Sequence, residues 1–274
     1  MFACRRCSRR PVHLKSLLCG ATMNDLEQNI ECAAEALHIA RRVAVLTGAG
    51  ISAESGVPTF RASDGLWEGH RVEDVATPRG FKKDPELVWR FYNQRRANLR
   101  AVKPNPGHIA LVQLEQRFGE AFTLITQNVD GLHQLAGNKN VHTVHGTIHQ
   151  TRCTGCEEIV THSLEPLDDL PKCTSCGAML RPNIVWFEEM LPDDQWMPSL
   201  LAAQECDLFL VVGTSAQVYP AAGLIQIAKK AKSPAATVIE FNLNSTAMSD
   251  EADICLHGPS GELLPRVLAK LTSL

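Results

Sequence analysis

Short apolar runs that stop abruptly at glycine or at a polar residue constrain the fold of this 274-residue chain most. Nearly continuous apolar strands that alternate with helices are typical of a parallel sheet with helices on both faces, because a strand buried on both sides shows no polar alternation. The pattern therefore predicts an α/β fold. The predicted strands are VAVLTG, AFTLIT, NVHTVHG, CDLFLVVG and ATVIEFN, and the predicted helices are DLEQNIECAAEALHIARR, DPELVWRFYNQRRANLR, PNPGHIALVQLEQRF, AAGLIQIAKKAK and GELLPRVLAKLTSL.

The first 24 residues differ in charge from the rest of the chain. They hold four arginines, one lysine and no acid, and carry +5, whereas the whole chain carries −3, so residues 25–274 carry −8. Such a leader is typical of a mitochondrial transit peptide, and it lacks the apolar core of a secretory signal. We therefore expect a location in the mitochondrial matrix. The alternatives are a basic tail without a targeting role, and a start at Met23 that would give a cytosolic or nuclear form.

Composition and charge also restrict the partners. Apolar residues make up 45% of the chain and no apolar run approaches the ~20 residues of a membrane span. The acidic body, without a basic and aromatic face, argues against a nucleic-acid module built on a zinc ribbon. We expect a soluble, monomeric protein that binds neither membrane nor nucleic acid.

Four of the ten cysteines form two knuckles, CTGC and CTSC, with the spacing C-x2-C-x16-C-x2-C. Two knuckles separated by 15–20 residues are typical of a structural zinc site. The chain is too long, and the spacing wrong, for a secreted disulfide scaffold, and the other six cysteines are scattered as in reduced intracellular proteins. The predicted zinc ligands are Cys153, Cys156, Cys173 and Cys176, in a segment that interrupts the α/β pattern and is therefore an inserted subdomain.

Unusual residues follow the predicted strands, where open α/β sheets bind ligands. The first strand leads into GAGISA, residues 48–53, which matches the G-x-G-x-x-A pattern of dinucleotide-binding turns. Glycines at such a turn are also needed for chain geometry in many folds. The acidic residue expected about 20 positions later, Glu68, is not at a strand end, so the loop from Ala53 to Trp67 is the predicted cofactor clamp. Amides, hydroxyls and a histidine follow the other strands: Gln127, Asn128, Asp130, His145, Gly213, Thr214, Ser215, Asn242 and Asn244.

These motifs together resemble the sirtuin family of NAD-dependent protein lysine deacylases. The resemblance covers roughly residues 40–265 and rests on GAGISAESGVPTFR, TQNVDGLHQLAG, VHGTIHQTRC, the paired knuckles, RPNIVWFEE and GTSAQVYPAA, in the order of the family. It implies transfer of an acyl group from lysine to the ADP-ribose part of NAD, with release of nicotinamide, and a substrate peptide that adds a strand between IVWFE and SAQVY. It also implies a Rossmann-like NAD-binding domain of residues 25–67, 105–147 and 183–274, and a small domain made of a helical insertion, 68–104, and a zinc ribbon, 148–182.

The resemblance implies the site residues as well. Asn128 and Asp130 would line the nicotinamide pocket, Phe60 would shield the reactive carbon from water, and residues 215, 242 and 244 would hold the adenosine half. The implied cofactor-binding residues are Gly48, Ala49, Gly50, Ser52, Ala53, Glu54, Pro58, Thr59, Phe60, Arg61, Trp67, Gln127, Asn128, Val129, Asp130, Gly213, Thr214, Ser215, Asn242, Leu243, Asn244 and Ser260.

His145 is the predicted catalytic base, which would activate a ribose hydroxyl. It follows a strand directly, and an unperturbed imidazole titrates near neutrality, as a general base should. His142 and His149 lie close in sequence, so a surface or zinc-binding role is the alternative. Four cysteines already complete a tetrahedral zinc site, which leaves no need for a histidine ligand.

Tyr92 and Arg95 lie three residues apart in WRFYNQRR, so on a helix they share a face. A phenol beside a guanidinium can bind a carboxylate through hydroxyl and forked N–H donors. Without the resemblance, a solvated helix face is the simpler interpretation. The desuccinylase branch of the sirtuins has a Y-x-x-R pair here and a small residue, matched by Ala62, in a widened acyl pocket. We therefore expect acidic acyl groups (succinyl, malonyl or glutaryl) as substrates; a general deacetylase, a mono-ADP-ribosyltransferase and an NAD hydrolase are the alternatives.

Three positions depart from the family pattern. Glu188 stands where the family usually has glycine, Asn244 where the branch often has glutamate, and Ser260 at a position that varies. Because glutamate does not adopt the conformations of glycine without cost, we expect altered peptide docking. The added negative charge predicts a preference for basic peptides.

Overall fold

The computed structural model describes residues 23–59, 66–67 and 69–274, with the backbone alone for residues 23, 24, 66 and 67. The leader and the predicted site residues Phe60, Arg61 and Ala62, together with the side chain of Trp67, lie outside the described part. The helices are α1 (Met23–Ile39), α2 (Gly50–Ala53), α3 (Val72–Val75), α4 (Pro78–Lys83), α5 (Pro85–Leu99), α6 (Pro106–Phe118), α7 (Leu132–Ala136), α8 (Asp193–Glu205), α9 (Gly223–Lys230) and α10 (Ser260–Leu271). The strands are β1 (Val43–Thr47), β2 (Leu66–Trp67), β3 (His70–Arg71), β4 (Phe122–Thr126), β5 (Val141–Thr143), β6 (Gly146–Cys153), β7 (Ile159–Thr161), β8 (Leu180–Ile184), β9 (Leu208–Val212), β10 (Thr237–Asn242) and β11 (Ile254–His257).

Six parallel strands form the main sheet in the order β11-β10-β9-β1-β4-β5. Helices cover both of its faces. Along β1, Val43 and Val45 pack in the core that includes residues of α1, α6 and α10, whereas Ala44 and Leu46 pack in the core that includes residues of α8 and α9. Successive residues of a strand point to opposite faces, so a strand covered on both sides must be apolar throughout. The predicted α/β fold with a doubly covered sheet is confirmed.

A third core joins the helical insertion to the zinc ribbon, which is the antiparallel sheet β7-β6-β8. Helix α5 begins at Pro85, as predicted, and the Asp84 carboxylate accepts the N–H of Leu87 at 2.9 Å. Val88, Trp89 and Leu180 belong to this core, and the indole N–H of Trp89 donates to the carbonyl of Leu180 at 3.0 Å. The ribbon and the helices therefore form one packed unit, while the predicted domain boundaries remain a prediction.

Buried polar contacts also fasten α5 to the ribbon. The guanidinium of Arg96, on the side of α5 away from solvent, donates to the carbonyls of Ile148, Ser163 and Glu165. A buried arginine is costly unless its donors are satisfied, and here backbone carbonyls accept them. The orientation of α5 is thus fixed by the ribbon strands.

Some elements escaped the sequence interpretation. Helix α8 contains Pro198 and has little apolar periodicity, and β11 has only four residues. Strand β2, which pairs with β3 in a short hairpin, lies at the end of the segment from Ala53 to Trp67 that we predicted as a loop. These elements depend on tertiary contacts more than on local pattern. Within the described part of the chain, no helix is both long and apolar enough to cross a bilayer.

Candidate active site

A cavity of about 730 Å³ lies at the carboxyl edge of the parallel sheet and reaches helix α5. The strand register explains its position: Thr47 is paired with both Thr126 and Val212, and Thr126 is paired with Thr143. These four strands therefore end at the same level, and the residues that follow them meet in one place. We name the two ends of the cavity after the ligands predicted for them. The cofactor end is lined by the loops after β1, β4, β9 and β10, and the acyl end by α5 and by the 185–189 loop after β8.

Two glycines bring backbone against backbone at the cofactor end. The N–H of Gly50 donates to the carbonyl of Gly213 at 2.7 Å. A Cβ on Gly50 would lie 2.7 Å from the Cα of Gly213, and a Cβ on Gly213, whose φ is +61°, would lie 2.3 Å from the nitrogen of Ile51. Neither position tolerates a side chain. The loops after β1 and β9 consequently form a tight cradle that leaves the space above them open.

Amide side chains hold the loop ends in place around this cradle. Gln127 donates to the hydroxyl of Thr214 at 2.9 Å, Asn128 donates to the carbonyl of Gly48 at 3.1 Å, and Asn242 donates to the carbonyl of residue 214 at 2.9 Å. The Glu54 carboxylate accepts the backbone N–H of residue 261 at 2.9 Å, at the start of α10. Several predicted cofactor-binding residues thus also connect loops to each other.

The Asp130 carboxylate in the cavity wall is held by two hydrogen bonds. It accepts the N–H of Leu132 at 2.9 Å and the hydroxyl of Ser52 at 2.7 Å. Burial raises its pKa, and these hydrogen bonds and the charge of Arg95 partly offset the rise. Ser52 itself is fully buried behind the wall. The structure therefore places Ser52 where it orients Asp130 and does not place it on the cavity surface.

Buried histidines support the same wall from behind. Burial lowers the pKa of His108 to about 4 and the pKa of His133 well below its ordinary value. His133 contacts the hydroxyl of Thr47 at 2.9 Å, and His108 accepts the N–H of Asn105 at 3.3 Å. Both imidazoles are thus neutral structural groups. Sequence reasoning did not single them out, because an isolated histidine in a helix carries no spacing signal.

His145 faces the cavity from the segment between β5 and β6, half-buried. Its Nδ1 lies 3.1 Å from the carbonyl oxygen of Gln127. A carbonyl only accepts, so Nδ1 carries the proton and Nε2 keeps a lone pair that can accept one. Burial lowers the pKa of His145, and the bond to Gln127 partly offsets this. A pKa below that of an unperturbed imidazole favours the neutral form, which is the form that a general base needs.

Tyr92 and Arg95 both line the acyl end, on the cavity side of α5. Tyr92 has no exposed surface and Arg95 is 7% exposed. A solvated helix face is therefore the wrong interpretation of this pair. Burial raises the pKa of Tyr92 to about 12, so the phenol keeps its proton and remains a donor near neutral pH.

The 185–189 loop completes the acyl end. The resemblance implied that this segment borders the substrate peptide, but it did not imply a contact between Trp186 and Tyr92. The indole N–H of Trp186 donates to the phenolic oxygen of Tyr92 at 3.0 Å, and the backbone N–H of Phe187 donates to the carbonyl of Ala76 at 3.0 Å. The N–H of Val185 donates to the carbonyl of His145 at 2.9 Å. The loop thus contacts both the catalytic-base candidate and the small domain. Only proximity in the fold reveals this, since Trp186 and Tyr92 are 94 residues apart.

Glu188 adopts the left-handed backbone conformation that glycine favours, with φ of +76°. Its carboxylate accepts two hydrogen bonds from Arg79, at 2.5 and 3.2 Å. The backbone conformation costs about 1–2 kcal/mol for a residue with a Cβ. The chain therefore accommodates glutamate without a change of backbone class, and the ion pair with Arg79 partly neutralises the added charge at the cavity rim.

The four predicted zinc ligands form one cluster, with all sulfur atoms within 4.8 Å of one another. Sγ of Cys153 lies 3.4 Å from that of Cys176, and Sγ of Cys156 lies 3.8 Å from that of Cys173. The backbone N–H groups of Gly155 and Cys156 donate to Sγ of Cys153 at 3.3 and 3.4 Å, which stabilises a thiolate. This donor set is suited to one structural zinc ion, and four thiolates leave no position for a substrate.

The family model described as the Sir2 family matches residues 48–220. The chain belongs to the Sir2 family. It is similar to NAD-dependent protein deacylase 2 of Pyrobaculum aerophilum, with 45% identity over 239 residues, 87% of this chain and 94% of the relative. It is also similar to the NAD-dependent protein deacylase of Escherichia coli strain K12, with 47% identity over 237 residues, 84% and 82% of the two chains. A solved complex of a Sir2 homologue with NAD superposes with a TM-score of 0.81 at 40% identity, over 89% of this chain and 94% of the other.

Membership in the Sir2 family supports NAD-dependent protein deacylase activity, and the cavity fits the cofactor. The glycine cradle lets a ligand approach the backbone, and amide donors and acceptors surround it. All predicted cofactor-binding residues whose side chains are described line the cavity except residue 52. These are Gly48, Ala49, Gly50, Ala53, Glu54, Pro58, Thr59, Gln127, Asn128, Val129, Asp130, Gly213, Thr214, Ser215, Asn242, Leu243, Asn244 and Ser260. Their individual roles remain predictions.

Proposed function

We propose that the protein removes acidic acyl groups from lysine side chains in an NAD-dependent reaction. One observation carries the acyl preference: Tyr92 and Arg95 lie buried in the wall of the cavity that also contains His145. A cation held in a largely desolvated wall favours an anionic ligand, because charge pairs interact more strongly there than in water. Succinyl, malonyl and glutaryl groups carry such an anion at their far end.

The protein groups have separate tasks in this reaction. Bound NAD would supply an electrophilic ribose carbon with nicotinamide as its leaving group. Nε2 of His145 accepts a proton from a ribose hydroxyl, and the Gln127 carbonyl keeps the imidazole in the required tautomer. Tyr92 and Arg95 bind the distal carboxylate and thereby fix the depth at which the acyl-lysine enters.

Arg95 also acts on Asp130, which supports a competing role. Its charge is one of the influences that lower the pKa of that carboxyl. If this were its whole purpose, the removal of Arg95 would impair the cofactor end and reduce the rate for every acyl group alike. The two roles therefore differ in the substrate dependence of the loss.

The test compares one peptide that carries acetyl-lysine or succinyl-lysine, with wild type, Arg95→Met and Arg90→Met. Arg90 lies on the same helix but its side chain is 55% exposed, 3.6 Å from Glu86, which makes it a matched control. Truncation of a buried charge contact costs about 2–5 kcal/mol, so kcat/KM for succinyl should fall more than tenfold in Arg95→Met. The acetyl activity should fall by much less, and Arg90→Met should match wild type for both.

Product analysis completes this test. Mass spectrometry should find O-succinyl-ADP-ribose and free lysine in wild-type reactions, whereas nicotinamide release alone would indicate an NAD hydrolase and a modified protein would indicate an ADP-ribosyltransferase. An equal loss of acetyl and succinyl activity in Arg95→Met would contradict the acidic-acyl preference and leave a general deacylase.

We also propose that the protein acts in the mitochondrial matrix, because residues 1–24 carry +5 and no acid. Fluorescent fusions that begin at Met1 or at Met23 test this proposal. Matrix import of the first and a diffuse signal of the second are expected; a diffuse signal from both would contradict it.

A further inference from the structure

The hydrogen bond between Trp186 and Tyr92 determines how the phenol can act. The indole nitrogen is only a donor, so at 3.0 Å the phenolic oxygen must accept from it. The single hydroxyl proton of Tyr92 is then directed to an acceptor other than the indole. A carboxylate in the acyl end would be such an acceptor, because an ionised carboxylate accepts and does not donate.

Several contacts hold the indole in one orientation. The Arg181 guanidinium lies 3.5 Å from the centre of the indole ring. Both terminal nitrogens of Arg181 donate to the Glu189 carboxylate, at 2.6 and 2.9 Å. Glu189 also accepts the backbone N–H of Trp186 at 2.8 Å. The ring of Phe81 packs at 5.2 Å between centroids. With 3% exposure, the indole has little freedom to rotate away from Tyr92.

We propose that Trp186 is a positioning residue for carboxylate-bearing acyl groups: its indole N–H fixes the Tyr92 hydroxyl so that the phenol donates to the distal carboxylate. This inference rests on the proposed function, because it needs an acidic acyl group at that end of the cavity. Trp186 touches neither the reacting atoms nor the ribose in this scheme. It acts through Tyr92.

The position of Trp186 in the chain adds a second consequence. Its neighbour Val185 donates to the carbonyl of His145, and Phe187 donates to the carbonyl of Ala76. The 185–189 loop therefore sets the distance between Tyr92, which binds the distal carboxylate, and His145, which accepts the proton. A substrate whose carboxylate matches this distance is held in a productive geometry.

The experiment uses a double-mutant cycle on the full-length protein, with wild type, Trp186→Phe, Tyr92→Phe and the double variant. Phenylalanine keeps an aromatic ring against Arg181 and Phe81 but has no N–H. The measured quantities are kcat and KM for acetyl and succinyl peptides, with thermal unfolding of each variant. Phe81→Leu is the matched control, because it disturbs packing on the same indole and leaves the N–H in place.

We expect Trp186→Phe to lower kcat/KM for succinyl about three- to tenfold, mainly through KM, as the loss of one hydrogen bond predicts. The acetyl value should change less than twofold, and Trp186→Phe should have no further effect on the succinyl-to-acetyl ratio in the Tyr92→Phe background. Phe81→Leu should lower thermal stability without a change in this ratio, because the contacts of Trp186 with Arg181 and Glu189 remain and keep the indole N–H in place. If Trp186→Phe does not fold, substitution of residue 186 by the benzothiophene isostere of tryptophan removes the N–H with almost no change of shape.

Two outcomes contradict the proposal in different ways. If wild type prefers succinyl and Arg95→Met loses this preference, but Trp186→Phe keeps it or lowers the ratio equally with and without Tyr92, then Trp186 only packs and the proposed function stands. If wild type has no preference for succinyl, the proposed function is wrong and the positioning role is wrong with it.

Discussion

The two ends of the cavity are built from different parts of the polypeptide. At the cofactor end, backbone meets backbone: a Cβ on Gly213 would lie 2.3 Å from the nitrogen of Ile51. At the acyl end, side chains from separate elements meet, as Trp186 and Tyr92 do at 3.0 Å. A surface made of backbone tolerates no side chain and offers every ligand the same amides. A surface made of side chains can change its ligand by substitution, so the cofactor end should fix the reaction and the acyl end should fix the acyl group.

The largest effect should come from loss of the zinc ligands, because the acyl end depends on the ribbon. Cys153 and Cys173 belong to the same packed core as Tyr92. Structural zinc contributes about 10–16 kcal/mol of binding free energy in small domains. The double substitution Cys153→Ser and Cys173→Ser should therefore abolish deacylation of every substrate, and hydrogen exchange should show amide protection lost in β6, β8 and α5 but kept in β1, β4 and β9. Full activity in protein shown to be zinc-free would contradict a structural role.

His145→Ala should have the next largest effect, and this effect should not depend on the acyl group. A general base contributes about 10²–10⁴-fold to a rate, so kcat/KM should fall by this factor for acetyl and succinyl peptides alike. The Kd for NAD, measured by calorimetry, should change by no more than about tenfold, as the loss of one hydrogen bond predicts. A fall of kcat/KM for only one acyl group would show that His145 contacts that acyl group and does not act as the base.

Gly213→Ala should damage the cofactor end alone. The left-handed φ of +61° costs a residue with a Cβ about 1–2 kcal/mol, and the clash with Ile51 adds about 1–3 kcal/mol. We expect the KM for NAD to rise at least about tenfold, while the succinyl-to-acetyl ratio stays as in wild type. Gly223→Ala is the control, because its Cβ would meet only ring atoms of Tyr219 at 3.8 Å. A changed acyl ratio in Gly213→Ala would show that the two ends are not independent.

The same contrast explains what the sequence could predict. The strand ends, the glycine turn and the zinc knuckles are encoded by residues at fixed short spacings, so their chemistry and their place on the sheet followed from local pattern. The partner of Tyr92 could not be found in this way, because Trp186 is 94 residues away and no local rule relates the two. The resemblance implied that Ser52 binds the cofactor, but a turn of this kind does not reveal that its hydroxyl points back towards Asp130.

The pH profile should report the cofactor end only. His145 must be neutral to accept a proton, and burial lowers its pKa, so kcat/KM should rise with pH through a value below 6.5 and be level at neutral pH. This rise in kcat/KM should occur at the same pH for acetyl and succinyl peptides, since the succinyl carboxylate is already ionised at the pH of the rise. Rates measured from pH 5 to 8 test this. A rise of kcat/KM centred at or above pH 6.5, or a rise whose pH depends on the acyl group, would contradict the assignment of the base.

The smallest effect is expected at the rim, where Glu188 is paired with Arg79. Glu188→Gly removes the cost of the left-handed backbone, but it also removes an exposed ion pair, which is worth about 0.2–1 kcal/mol. Thermal stability should therefore change little. The rim loses one negative charge, so KM should rise about two- to fivefold for peptides with lysine or arginine beside the acyl-lysine and should fall for acidic ones. Arg79→Gln, which leaves Glu188 unpaired, should shift both values in the opposite direction. Identical changes of KM for basic and acidic peptides would show that the pair of Glu188 and Arg79 only supports the loop. The rim would then not select peptides by their charge.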